Sequence, residues 1–163
     1  METLRIFLQE STDVARPLGV ARERLVGDEG WFAALATAAE EDGQALYLRI
    51  GPTWARGRAA RSVKVTLGIP HDRGAALVMP LAWQSSELPG LFPVLDGDLE
   101  LAPIENDTCR LTLSASYVPP LGELGRQLDR AVLHRVARST ARSFLERAKV
   151  SLEAEAAPGE ASD

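Results

Sequence analysis

The last third of this chain constrains what the rest can become. A strand-like run ending at Tyr117 meets Val118-Pro119-Pro120-Leu121-Gly122, and from there a helical period continues unbroken to Leu152. Proline breaks a sheet ladder and is tolerated in the first turn of a helix, so the Pro-Pro pair predicts a corner between the two. A largely apolar row, Leu124, Leu128, Val132, Val136, Thr140, Phe144 and Ala148, recurs at every fourth position. Such a row drifts by about 40° per step and winds around the helix, which suits a helix gripped by a twisted sheet. At about 1.5 Å per residue the helix would span on the order of 45 Å.

The preceding sequence supplies the sheet. Leu4, Ile6 and Leu8 alternate with Thr3, Arg5 and Phe7, predicting a first strand. From Asp13 to about Gly43 the period becomes helical, with Leu18, Ala21 and Leu25, then Trp31, Leu35 and Ala38. Gly27-Asp28-Glu29-Gly30 divides that stretch into two short helices. From Gln44 to Val118 the pattern alternates again. Its apolar positions are Leu46, Leu48 and Ile50; Val63, Val65, Leu67 and Ile69; Leu77, Met79, Leu81 and Trp83; Leu99 and Leu101; and Cys109, Leu111, Leu113, Ala115 and Tyr117. Turns are predicted at His71-Asp72-Arg73-Gly74, Leu88-Pro89-Gly90 and Glu105-Asn106-Asp107. Clean alternation means one buried and one wet face, hence an antiparallel meander.

The expected fold is therefore α+β. A curved antiparallel sheet of six to seven strands carries two short helices after strand 1, and a long C-terminal helix packs across it. One domain covers residues 1–152, and the Ala/Glu/Pro/Gly/Ser-rich stretch 153–163 reads as a disordered tail.

Composition narrows the function classes. A net charge of −5 gives no generic affinity for nucleic acid. The single cysteine, Cys109, rules out an internal disulfide and a cysteine-based zinc site. The N-terminus shows no leader pattern and no apolar run reaches membrane-span length, so a cytoplasmic, soluble protein is expected. The two histidines, His71 and His134, lack metal-ligand spacing, and no phosphate-binding or dinucleotide motif occurs. No metal and no cofactor are expected.

The element order resembles that of the START-like, or SRPBCC, helix-grip superfamily. The resemblance is strongest in Gly97-Asp98-Leu99-Glu100-Leu101, in the strand from Leu111 to Tyr117, in Pro119-Pro120-Leu121-Gly122, and in Leu128-Asp129-Arg130 through His134-Arg135-Val136-Ala137. It is similar to bacterial members described as polyketide-cyclase-like or lipid-transport-like. The resemblance implies a cavity between sheet and helix, and a small hydrophobic molecule such as a lipid or polyketide as partner.

By parity the inward strand positions are Leu77, Met79, Leu81, Trp83, Leu99, Leu101, Leu111, Leu113 and Tyr117, with Leu128 and Val132 facing them from the helix. They either fill a solid core or line an apolar ligand cavity. Asp98, Glu100, Arg110 and Ser114 point the other way. Three functions fit: binding or transport of a hydrophobic or amphipathic ligand without catalysis; an aromatase/cyclase-like enzyme with polar contacts from Tyr117 and Arg49 or Arg110; or an interaction module with a filled core. The last draws on Arg126, Arg130, His134, Arg138 and Arg142, an i,i+4 basic row. From Leu121 to Leu152 the charge is +4, leaving −9 for the rest. Like charges at that spacing repel, so the row calls for an anionic partner or for carboxylates elsewhere in the fold.

Overall fold

The computed structural model describes residues 5–27, 32, 35, 36, 38, 63–85, 94–118 and 130–154. In chain order these form β1 (Ile6–Val14), α1 (Leu18–Gly27), β2 (Val63–Leu67), β3 (His71–Arg73), β4 (Ala76–Ser85), β5 (Val94–Glu105), β6 (Thr108–Val118) and α2 (Arg130–Glu153). Phe32, Leu35, Ala36 and Ala38 are helical as well. The six strands make one antiparallel sheet in the order β1-β6-β5-β4-β2, with β3 also paired to β4.

The alternation places side chains as expected, with differences at the strand ends. β1 runs on to Val14, past the predicted change of period. Val14 is fully buried, and Asp13 pairs across the strands with Arg110 on the outer face. α1 then starts beyond Pro17, whose carbonyl accepts the Ala21 amide at 3.1 Å, and it turns Ala21 and Leu25 inward. β5 begins at Val94, which brings Leu95 into the core. The predicted turn His71–Gly74 is instead a short strand, β3, and the reversal is confined to Gly74 and Ala75. Gly74 sits at φ 62°, a conformation glycine adopts without strain.

Ile69, expected inward, is 84% exposed. Pairing with β4 lapses between Leu67 and His71, and Pro80 supplies the reason. Its carbonyl accepts the Gly68 amide at 2.7 Å. A strand residue's N–H and C=O face the same neighbour, so the donor that proline lacks is missing on that side. The β2–β3 edge therefore bulges outward through Gly68-Ile69-Pro70. A Cβ on Gly68 would meet the Pro80 ring at 2.7 Å.

The hairpin between β5 and β6 turns at Asn106-Asp107, with a register shift between Pro103 and Glu105. Gly97 occupies an inward position of β5, between Leu95 and Leu99. A Cβ there would collide with the Ser114 carbonyl and lie 2.6 Å from Ala115 Cβ. The two strands approach that closely because the sheet bends at this point.

Helix α2 has 24 residues, or about 36 Å. It runs one residue into the stretch predicted as tail. Val136, Thr140, Phe144, Ala148 and Leu152 form one buried row; Ala137, Ala141 and Leu145 form a second. Thr140 spends its hydroxyl proton on the Val136 carbonyl at 2.9 Å, so it enters the core without an unmet donor. The expected strand Leu46–Ile50, the Leu88-Pro89-Gly90 turn, the Pro119-Pro120 corner and the helix start at Leu121 lie outside the described residues.

Gly97→Ala is expected to cost about 3 kcal/mol, at the upper end of over-packing effects, because backbone as well as side chain must move. Urea denaturation checks this.

Candidate functional site: the compartment under the C-terminal helix

The inner face of the sheet is a grid read directly from the strand registers. Its rows are Val65–Trp83–Leu95–Tyr117–Ile6, Leu67–Leu81–Gly97–Ala115–Leu8, Met79–Leu99–Leu113–Glu10 and Leu77–Leu101–Leu111–Thr12. On β1 the first two rows end on apolar Ile6 and Leu8, and the last two on polar Glu10 and Thr12. The middle of the second row, Gly97 and Ala115, has almost no side chain, so the floor is lowest there.

Above this floor α2 runs closest to β1 and next to β6. Side chains bridge the gap toward β4: the Trp83 and Phe144 rings lie 5.0 Å apart, and Phe144 stacks on Phe32 at 6.4 Å. Such offset aromatic contacts add to the burial itself.

Polar ties fasten the helix along β1. Arg138 Nε donates to Glu10 Oε1 at 2.7 Å and Arg142 Nε to Glu10 Oε2 at 3.1 Å. Thr12 Oγ1 makes a long contact, 3.5 Å, with Glu146 Oε1. Lys149 Nζ donates to the Asp13 carbonyl at 2.5 Å, and the Ala15 amide donates to Glu153 Oε1 at 2.8 Å. The order of contacts shows that β1 and α2 run in the same direction. At the end of the helix, Arg16 donates to the Glu153 carbonyl at 2.5 Å. Arg24 reaches the carbonyls of Ser151, Leu152 and Ala154. Two cations thus meet the unpaired carbonyls and the negative end of the helix dipole.

Packing is not uniform over the grid. The Leu77 and Met79 rows are almost completely closed wherever the strands are apolar, whereas Ile6, Leu8 and Ala115 retain 7–8% exposure. Val132, the described helix residue toward that end, is half-buried, while Val136 and the later inward residues are buried.

Burial pushes the Glu10 carboxyl up, but the hydrogen bonds and charges of Arg138 and Arg142 outweigh it and hold the group below its ordinary value. The Ala15 amide, then Lys149, lowers Glu153. Arg110 lowers Asp13 through its hydrogen bond. Burial raises the Cys109 thiol, consistent with a small apolar core residue rather than a reactive one.

The predicted site residues Leu77, Met79, Leu81, Trp83, Leu99, Leu101, Leu111, Leu113 and Tyr117 share this one buried face. Leu128 lies outside the described residues, as does Arg49. Arg110, a candidate for enzymatic contacts, instead lies on the outer face. Its Nε donates to Asp13 at 2.8 Å, so it belongs to the exposed side of the sheet. His71 and His134 are exposed. Asp96 and Asp98 also point outward. Among the described residues no cluster of metal-ligating side chains occurs, and no helix is long and apolar enough to cross a membrane. Sequence reading passed over Leu95, Phe144 as an aromatic partner, and Glu10. The signal for Glu10 was present: it continues the inward parity of Ile6 and Leu8 beneath the arginine row.

The solved structures include a close match in architecture. A conserved protein from Geobacillus kaustophilus aligns over 88% of this chain and 93% of its own, at 13% identity and a TM-score of 0.54. The fold is a helix grip, a curved antiparallel sheet with a C-terminal helix packed across it. At that identity the helix grip is what the two chains share. Weaker alignments reach the Zhui aromatase/cyclase from Streptomyces sp. R1128 (14% identity, TM-score 0.45, 92% of this chain and 94% of that one). They also reach norcoclaurine synthase from Thalictrum flavum (14% identity, TM-score 0.35, 94% and 90%). No family model matches the chain, and no curated protein matches it.

The lowered Glu10, Asp13 and Glu153 values set the direction of acid sensitivity. Each folded-state value lies below the unfolded one, so the unfolded chain binds more protons as pH falls through about 4.3. The stability these groups supply is full above about pH 5 and lost below. Glu10→Gln is expected to lower stability by about 1 kcal/mol at pH 7, since Arg138 and Arg142 are about half exposed and screened, and to shrink the acid loss. Thermal unfolding between pH 3 and 7 checks both.

Proposed function

We propose that this protein binds a small hydrophobic or amphipathic molecule, of lipid or polyketide-like character, between the inner face of the sheet and α2. The observation that carries this is the uneven packing of an otherwise apolar compartment. Its floor is lowest at Gly97 and Ala115, and that row closes less tightly than those of Leu77 and Met79: Leu67 is half-buried, and Leu8 and Ala115 keep slight exposure. Trp83 and Tyr117, buried in the neighbouring row, would border such a ligand as an aromatic wall. Binding here requires no acid or base on the inner face.

The Arg-rich helix supports a partner surface less well. Arg138 and Arg142 are already answered within the chain by Glu10, the internal carboxylate that their spacing called for.

Ala115→Leu raises the floor at its lowest point. It is expected to leave a folded protein, at an over-packing cost of about 1–3 kcal/mol, and to reduce uptake of the neutral dye Nile red about tenfold or more. Ser116→Leu, one residue on and facing outward, should leave uptake unchanged. Folded Ala115→Leu that takes up the dye as well as wild type does would refute this location.

A further inference from the structure

Pro80 sets the phase of backbone hydrogen bonding for the whole sheet. Its carbonyl accepts the Gly68 amide, so even-numbered residues of β4 turn their backbone groups toward β2 and β3, and odd-numbered ones toward β5. The registers carry that phase across. Odd residues of β5 face β4 and even ones face β6; even residues of β6 face β5 and odd ones face β1; even residues of β1 face β6. The odd residues of β1 therefore present both backbone groups at the rim of the sheet. Two contacts agree, because the Asp13 carbonyl and the Ala15 amide both meet side chains of α2. Among the described strands β1 ends the sheet, and α2 caps its edge from Asp13 onward. Before that point Phe7, Gln9 and Ser11 are exposed, Phe7 at 76%, and their edge amides and carbonyls have no partner among the described residues. Edge strands are commonly blunted by proline, lysine, a bulge or an inward charge. The stretch from Phe7 to Ser11 has no proline or lysine and an unbroken register, and its inward charge, Glu10, is already met by Arg138 and Arg142.

We propose that this edge pairs with the same edge of a second copy of the chain, as an antiparallel two-fold β1–β1 ladder centred on Gln9. An antiparallel edge is self-complementary in this way, and the contact closes on itself without leading to a filament. Phe7 then exchanges both hydrogen bonds with the second copy's Ser11, Gln9 with its Gln9, and Ser11 with its Phe7. Charge selects this register. Arg5, exposed and without a partner among the described residues, comes opposite the second copy's Asp13, which is about half exposed beside Arg110, and symmetry repeats the pair. A ladder centred on Glu10 instead sets two carboxylates directly against each other, and one centred on Leu8 separates Arg5 from Asp13. The exposed Phe7 ring gains cover from the second copy's Ser11 and Gln9. One short strand pair buries less than the standard interface of about 1,600 Å², so the dimer is a weak one, with a dissociation constant of about 10 µM or above. The pairing is independent of what the compartment under α2 binds.

Two readouts test this on the full chain. The first is sedimentation velocity, in which the wild-type mass should rise from one chain toward two between about 10 µM and about 1 mM. The second is amide hydrogen exchange at the two ends of that range. Phe7, Gln9 and Ser11 should gain about tenfold protection at the high concentration, while Gly74 and Ala75, in the hairpin at the far side of the sheet, should not change. Gln9→Pro deletes an edge donor at a place where a strand accommodates proline, since the lost N–H faces solvent. It is expected to weaken the dimer about tenfold or more. Gln9→Ala keeps the N–H and should stay within about twofold of wild type. Arg5→Glu, which sets a carboxylate against Asp13, should weaken the dimer several-fold. Protein that remains a single chain at about 1 mM would overturn the proposal. So would a dimer that leaves Phe7, Gln9 and Ser11 unprotected, or a folded Gln9→Pro that associates as wild type does. Should Gln9→Pro not fold, the exchange of the wild-type amides decides by itself.

Discussion

Everything in this molecule depends on burying one winding stripe of a long helix on a concave sheet. Val136, Thr140, Phe144, Ala148 and Leu152 cannot all meet a flat surface, because their row turns by about 40° at each step. The sheet must bend under them, and Gly97 lets it bend by removing a Cβ that β6 leaves no room for. The same omission lowers the floor beside Ala115. Curvature needed for the grip and the small side chains at the middle of the sheet thus share one cause.

The alternation of β4, β5 and β6 was legible because the inward positions are apolar and the opposite face is largely polar or open, with buried Val78 of β4 an exception; a one-residue slip would expose the inward leucines. The ends were less legible. Pro80 forces the outward bulge that exposes Ile69, but the effect appears only when Gly68 is seen across from it. β3 reads as a turn because His71-Asp72-Arg73 has no apolar member, and its pairing with β4 is set by backbone alone. Glu10 broke the apolar parity of β1, and its partners lie 128 and 132 residues away. The basic row did announce a need for nearby carboxylates. Which carboxylate would answer it was a matter of topology.

The helix joins two kinds of interaction with different consequences. Its apolar rows are non-directional and hold it to the sheet. Its ties to β1 and α1 are directional and fix its orientation; at the C-terminal end Arg16 and Arg24 meet the dipole. Inward residues of the closed rows serve mainly stability. In the proposed binding function, Ile6, Leu8 and Ala115 border the place another molecule would occupy.

The most direct test of the binding site is methyl NMR of protein labelled at Ile, Leu and Ala, titrated with hexadecanoate and with a fused-ring polyketide. The account predicts that at least one ligand shifts the Ile6, Leu8 and Ala115 methyls, with contacts to the ligand, while Leu101 and Leu111 in the closed rows change little. Shifts confined to exposed residues such as Ile69, or none with either ligand, would contradict it.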